Sequence, residues 1–180
     1  MKHLLVCTSL LVAATTLLAQ QGPPKSPSTT ETAKIGSTAI TVTYSSPRVN
    51  GRAGHIYTKG GLISRDPHYP VWRAGANAAT KLHTDGGITL GSLKVPAGDY
   101  TLFVDISDPD NWTLIVNKQT GQWGLSYDAA QDLGKVKMTM TKPSPPVENL
   151  KYTITSLGTD RGELKLSWEN HAGAVPITAH

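Results

Sequence analysis

Three arginines, a tryptophan and an asparagine are grouped in one part of the sequence, as Arg48, Arg52, Trp72, Arg73 and Asn77. Each guanidinium offers a planar set of donors that matches a carboxylate or a phosphate. The indole offers a flat face for stacking, and the asparagine amide adds a further donor. If these side chains converge, they form a pocket for a small anionic or sugar-like ligand.

A structural role for the same arginines is the first alternative. Arginine donors can satisfy loop carbonyl groups, and their charges can be balanced by Asp66, Asp105 or Glu169. On this reading the protein is a structural or interaction protein of the cell envelope. A sequence does not show whether side chains converge, so both hypotheses stay open at this point.

The histidines give a second alternative, although no two of them form a tight His-x-His pair. His55 and His68, together with Asp66 or Glu169, have the chemistry of a His-carboxylate metal site in a hydrolase or other metal-dependent enzyme. Scattered surface histidines explain the same pattern, so we predict no metal site and no cofactor, and we assign no catalytic residue. His83 lies on the polar face of a predicted strand, and we include it among the candidate ligand-binding residues.

The N-terminal residues predict export. A positive start at Met1–His3 is followed by an apolar run from Leu4 to Leu18 and by the small residue Ala19, which is the pattern of a signal peptide over residues 1–19. The run is shorter than the ~20 residues of a membrane span, so we expect a secreted or periplasmic protein with no stable membrane insertion after cleavage. The single cysteine, Cys7, falls inside this segment, so the mature chain has no disulfide bond.

Composition divides the remainder into a leader and one domain. Residues 20–34 are rich in Pro, Ser, Thr and Gln, which predicts a flexible leader, and residues 35–180 are long enough for a single domain with a core. The formal net charge is +4, and the basic residues are scattered. Nucleic-acid binding requires a clustered basic stripe, so we expect no nucleic-acid partner.

Alternation of apolar and polar residues predicts the elements that position these side chains. Ile40, Val42 and Tyr44 start the pattern, which is typical of half-buried strands. It recurs near residues 80–84, 88–90, 100–106, 112–116, 136–140, 150–154, 164–168 and 175–177. About nine strands separated by Gly, Pro and Asp turns predict an all-β fold, an antiparallel β-sandwich or jelly-roll-like barrel, with at most one or two helical turns near residues 128–133.

The alternation of apolar and polar residues is interrupted between residues 45 and 79. Compact domains seldom contain so long a connection unless it is packed or functional, so this segment is the best pointer to a site. Trp112 and Trp168 fall on the apolar phase of their strands and are expected in the core. Trp72 and Trp123 lie in loop contexts, where we expect them to cover the end of the sandwich, with stacking on a sugar ring as the alternative.

Several motifs in this chain resemble a bacterial family of domains of unknown function, family 2911. They are Tyr44-Ser45-Ser46-Pro47-Arg48, Val71-Trp72-Arg73-Ala74-Gly75-Ala76-Asn77, Val95-Pro96-Ala97-Gly98-Asp99-Tyr100 and Trp168-Glu169-Asn170. The resemblance extends over about residues 28–177. It implies an exported, single-domain protein, and it implies no particular activity.

Overall fold

The computed structural model describes residues 24–180, so the predicted signal peptide and the first leader residues lie outside the described part. Thirteen strands and two 3-10 turns make up the described chain. The strands are β1 Ser28–Ile35, β2 Thr38–Ser45, β3 Val71–Trp72, β4 Thr80–Thr84, β5 Ile88–Leu90, β6 Leu93–Val95, β7 Gly98–Asp105, β8 Thr113–Asn117, β9 Asp132–Lys137, β10 Thr139–Thr141, β11 Val147–Ser156, β12 Arg161–Glu169 and β13 His171–Ala179.

Two antiparallel sheets enclose the core. The first has the order β1-β2-β4-β7-β8-β9, with β3 paired to the end of β7, and the second has the order β11-β12-β13-β5-β6, with β10 paired to β13. The predicted all-β sandwich is confirmed, whereas the barrel alternative is wrong because the sheets do not close. The strand count exceeds nine because β1, β3 and β6 were not predicted and because residues 136–140 divide between β9 and β10.

The flexible leader predicted over residues 20–34 is wrong from Ser28 onward, where β1 begins. β1 pairs with β2 along its whole length, from Ser28 opposite Ser45 to Ile35 opposite Thr38. The polar composition of this stretch suggested disorder. Threonine, however, is a good strand former, and an edge strand can expose polar side chains to water. Gly36, at a φ of 62°, makes the tight turn between the two strands.

Alternation along the strands places the core between the sheets. β2 buries Thr38, Ile40, Val42 and Tyr44, and its intervening side chains are half-buried. Trp112 and Trp168 are each 1% exposed, which confirms the prediction that they belong to the core. No helix within residues 24–180 is long and apolar enough to cross a membrane.

The long connection from Ser46 to Ala79 is packed against both sheets. Five of its apolar side chains, Val49, Ile56, Ile63, Trp72 and Ala74, are buried in the main core. It contains one short 3-10 turn and β3, and its first residues bond to β11 of the opposite sheet: the amide of Val49 donates to the carbonyl of Glu148 at 2.8 Å. The connection therefore closes one end of the sandwich.

The outer face of the first sheet is covered by the β8–β9 connection. Phe103 and Ile115 point away from the main core and pack with Ala79 and with Tyr127 of this connection. The connection contains the 3-10 turn Ala129–Gln131, which confirms the helical turn predicted near residues 128–133.

Replacing Ile56 with alanine tests whether the long connection is part of the core. Ile56 is 0% exposed, so Ile56→Ala leaves a cavity and should lower the free energy of unfolding by about 2–5 kcal/mol. Lys59→Ala, an exposed position in the same segment, is the control and should change it by less than about 0.5 kcal/mol. Denaturant unfolding measures both, and equal stabilities for the two variants would contradict the packing.

Candidate functional site

An aromatic cluster joins the long connection to the rest of the sandwich, with Tyr57 of the connection at its centre. The Tyr57 ring centroid is 4.4 Å from His171, 5.2 Å from Trp112, 6.0 Å from Trp168 and 6.1 Å from Trp72. Its hydroxyl donates to the carbonyl of Trp168 at 3.2 Å. Burial, followed by the nearby carboxylate of Glu169, raises the pKa of the Tyr57 hydroxyl well above its ordinary value, so the ring stays neutral.

A buried carboxylate connects this cluster to the loop. Glu169 is 4% exposed, and its Oε1 accepts from the amide of Gly54. Its Oε2 lies 4.0 Å from Nδ1 of His171, whose pKa is lowered by burial against the opposing effect of Glu169. The neutral imidazole stacks on Trp112 at 5.4 Å. Glu169 and His171 hold the long connection in place through these contacts. We assign neither residue a chemical role.

The main candidate site is a cavity of about 420 Å³ above this cluster, which we call the tryptophan cavity. Its apolar lining is Pro47, Leu62, Ile63, Trp72, Gly75, Ala76, Trp123, Leu125 and Trp168, and its polar lining is Arg65, Asp66, Arg73 and Asn77. Three predicted site residues, Trp72, Arg73 and Asn77, are therefore brought together here.

The segment from Arg73 to Asn77 is a compact turn that positions its own side chains. Ala74 and Asn77 have φ values of 52° and 59°, in the left-handed region that asparagine tolerates better than most residues. The carbonyl of Ala74 accepts from the hydroxyls of Tyr152 at 3.1 Å and Thr80 at 3.2 Å. The turn is thereby tied to both sheets.

Arg73 is held on two sides inside the tryptophan cavity. Its Nη1 donates to the carbonyl of Asn77 at 3.1 Å, and its Nη2 lies 3.6 Å from Oδ2 of Asp66, one of the three acidic partners that the structural alternative offers for the arginines. The side chain of Arg73 is 18% exposed, whereas that of Asp66 is 4% exposed. Burial lowers the pKa of the guanidinium and Asp66 opposes that shift, but arginine remains charged at neutral pH.

One rim of the tryptophan cavity comes from the β8–β9 connection. The amide of Gly124 donates to the carbonyl of Asn77 at 3.1 Å, and Trp123 forms an isolated bridge with Ala78. Trp123 is 55% exposed and Leu125 is 37% exposed. Of the two tryptophans predicted to cover the sandwich end, Trp72 is buried there at 3% exposed, whereas more than half of the Trp123 surface is exposed.

Arg48 and Arg52 line a second cavity of about 580 Å³, which we call the arginine cavity, together with Lys25 and Asn50. Pro47, Leu62 and Ala76 line both cavities. Arg52 donates to the carbonyls of Val49 at 3.0 Å and Arg48 at 2.6 Å, whereas the side chain of Arg48 is exposed. The three predicted arginines thus fall into two adjoining cavities.

His83 lies elsewhere. Its Nδ1 is 2.9 Å from Oδ1 of Asp99 on the exposed face of the β4–β7 pair, and it lines neither cavity. His68 bonds to the carbonyl of Leu125 at 3.0 Å. Within residues 24–180 no group of three or more His, Cys, Asp or Glu side chains is placed to hold a metal ion.

The sequence did not single out Arg65 or Leu125 as lining residues, and it gave a ligand contact for Trp123 only as an alternative. Arg65 ends the 3-10 turn that begins with the buried Ile63. Trp123 and Leu125 lie in the β8–β9 connection, which is distant in sequence from the long connection. The Gln-Trp-Gly step at residues 122–124 was the available signal, because glycine permits close approach of a neighbouring side chain.

Gly124→Ala is a test of how Arg73 is positioned. A Cβ at this position would lie 2.3 Å from Cδ of Arg73 and 2.6 Å from the carbonyl oxygen of Asn77, so the rim and the arginine must separate. We expect a loss of about 1–3 kcal/mol in unfolding free energy, as for other overpacked sites. Gly158→Ala, where nothing lies within 4 Å, is the control. Equal denaturation midpoints for the two variants would contradict the contact.

Comparison with known proteins gives a family and no activity. A sequence profile of the family described as protein of unknown function (DUF2911) matches residues 26–177. No curated protein and no solved structure matches the chain. The match covers both sheets, the long connection and every residue of the two cavities except Pro24 and Lys25. The chain belongs to the DUF2911 family.

Proposed function

We propose that this protein is an exported binding module for a small anionic or sugar-like ligand, and that the tryptophan cavity is its site. The observation that carries the proposal is Arg73, a charged group held in place beside apolar side chains in a cavity of about 420 Å³. Ligand pockets of roughly 300–1,000 Å³ with an apolar lining and a few fixed polar groups are typical of small-molecule sites. Export rests on the signal-peptide pattern of residues 1–19.

The fixed position of Arg73 supports binding. Its contacts to Asn77 and Asp66 restrict the side chain before any ligand arrives, which reduces the entropy lost on binding. The exposed indole of Trp123 supplies an apolar face at the rim, and large exposed apolar side chains beside a cavity are a feature of ligand sites.

A structural role is the second candidate, and the contacts of Arg52 favour it for that residue. Arg52 donates hydrogen bonds to two carbonyl groups of its own loop, which stabilises the conformation of that loop. On this reading the protein is an envelope structural or interaction protein, and no small ligand occupies the cavities.

Binding is tested by calorimetry against a panel of anionic metabolites and mono- and oligosaccharides. We expect at least one member to bind and Trp123→Ala to weaken that binding about tenfold, a loss of about 1.4 kcal/mol, without changing the melting temperature. Leu157→Ala is the matched control, because Leu157 is also an exposed apolar residue, at 65%, but lies outside both cavities. Absence of binding across the panel would favour the structural role.

A further inference from the structure

We propose that the ligand is an acidic oligosaccharide, with a neutral part of a sugar unit in the tryptophan cavity and an acidic group in the arginine cavity. This inference rests on the proposed binding function and deepens it by naming the ligand class. Four features support it: the continuity of the two cavities, the acceptor at Asp66, the ring of Trp123 and the charge of the arginine cavity.

The two cavities adjoin, so one extended ligand can occupy both. Pro47, Leu62 and Ala76 line each of them, and Leu62 and Ala76 are only half-buried. The cavities measure about 420 and 580 Å³. A single small anion leaves most of this space unfilled, whereas a chain of two or three sugar rings can extend across the shared residues.

The polar groups of the tryptophan cavity suit hydroxyls better than an anion. Oδ2 of Asp66 is buried in the cavity lining and accepts no hydrogen bond within residues 24–180, although the Arg73 guanidinium lies 3.6 Å away. A carboxylate entering here would be attracted by Arg65 and Arg73 but would also be repelled by Asp66. Because Oδ2 of Asp66 is buried, a hydroxyl can donate to it only after a shift of the cavity lining, while a neighbouring hydroxyl accepts from Arg73. Adjacent hydroxyls of this kind are what a sugar ring presents.

Trp123 supplies the apolar contact that a sugar ring requires. Its side chain is 55% exposed at the rim, and the bridge of its backbone with Ala78 fixes its position. The faces of a pyranose ring carry C–H groups, which pack on an indole while the hydroxyls at the ring edge reach polar partners.

The charged side chains that line the arginine cavity are all basic. Within residues 24–180 no carboxylate lies within 4.0 Å of the charged nitrogens of Lys25, Arg48 or Arg52. Glu148 contacts the cavity lining through its Oε1, which accepts from the backbone amide of Asn50 at 2.9 Å. Unbalanced guanidinium groups favour a carboxylate or sulfate, and both occur on acidic sugars. An acidic group therefore binds here and not beside Asp66.

The experiment compares matched probes by calorimetry at low salt. Trimers of uronic acids and sulfated trisaccharides are measured beside their methyl-esterified or desulfated forms, the free acidic monosaccharides, inorganic sulfate and triglutamate peptide. We expect at least one acidic trisaccharide to bind about tenfold or more tightly than its neutralised form and its monomer. Added salt should weaken its binding, because the arginine charges are exposed to screening.

Two variants assign the subsites. Arg48→Ala should remove most of the preference for the acidic form and leave the affinity for the neutralised form unchanged, whereas Trp123→Ala should weaken both forms. Arg161→Ala is the control, because Arg161 is exposed on β12 outside both cavities and should change neither affinity.

The possible failures are distinguishable. Equal binding of acidic and neutralised trisaccharides, or an unchanged preference in the Arg48→Ala variant, would overturn the acidic oligosaccharide and leave a sugar-binding module. Binding of triglutamate or sulfate in place of every sugar would overturn it in favour of an acidic peptide or a small anion. If none of the probes binds, the binding function itself is overturned.

Discussion

The structure depends on how the long connection between β2 and β4 is held. This segment leaves the first sheet at Ser45, pairs with it again through β3 and continues into β4 at Thr80, and five of its apolar side chains are buried between the two sheets. Stacking of Trp72 on Trp168, at 5.9 Å and 22° between the ring planes, joins the connection to β12 of the second sheet. The position of Trp72 in turn determines where the chain presents Arg73 and Asn77. The site is therefore a consequence of core packing at one end of the sandwich.

Structural and binding roles are compatible for the same arginines. Arg52 and Arg73 each donate to a carbonyl group of their own segment, so the orientation of each guanidinium is already restrained. A charged group that is restrained in this way loses little freedom when a ligand arrives, which is the physical basis of preorganised sites. Arg48 differs because its side chain is exposed. In the tryptophan cavity Asp66 accordingly offsets the charge of Arg73, whereas within residues 24–180 no carboxylate pairs with Arg48 or Arg52 in the arginine cavity.

Local patterns predicted the fold better than they predicted the site. Period-two alternation identified strands such as β2 and β12, because one face of each lies against the core. β1 was missed because its threonine-rich composition also describes a disordered chain, and only pairing with β2 separates the two cases. His83 was included because it lies on a polar strand face, but a polar face can point away from a cavity. The hydrogen bond from the Gly124 amide to the Asn77 carbonyl places the Trp123 segment at the cavity, and no local sequence pattern shows such a tertiary contact.

Hydrogen exchange of the backbone amides in the long connection tests the central claim most directly. The amides of Val49, Ile63 and Ala76 donate to the carbonyls of Glu148, Ile56 and Ser45 at 2.8, 3.1 and 3.2 Å. A connection that is part of the core should protect these three amides nearly as strongly as the central strand β7, because they open only with the sandwich. Exchange as fast as at Gly158, in an exposed turn, would show that the segment is loosely attached and would contradict the account.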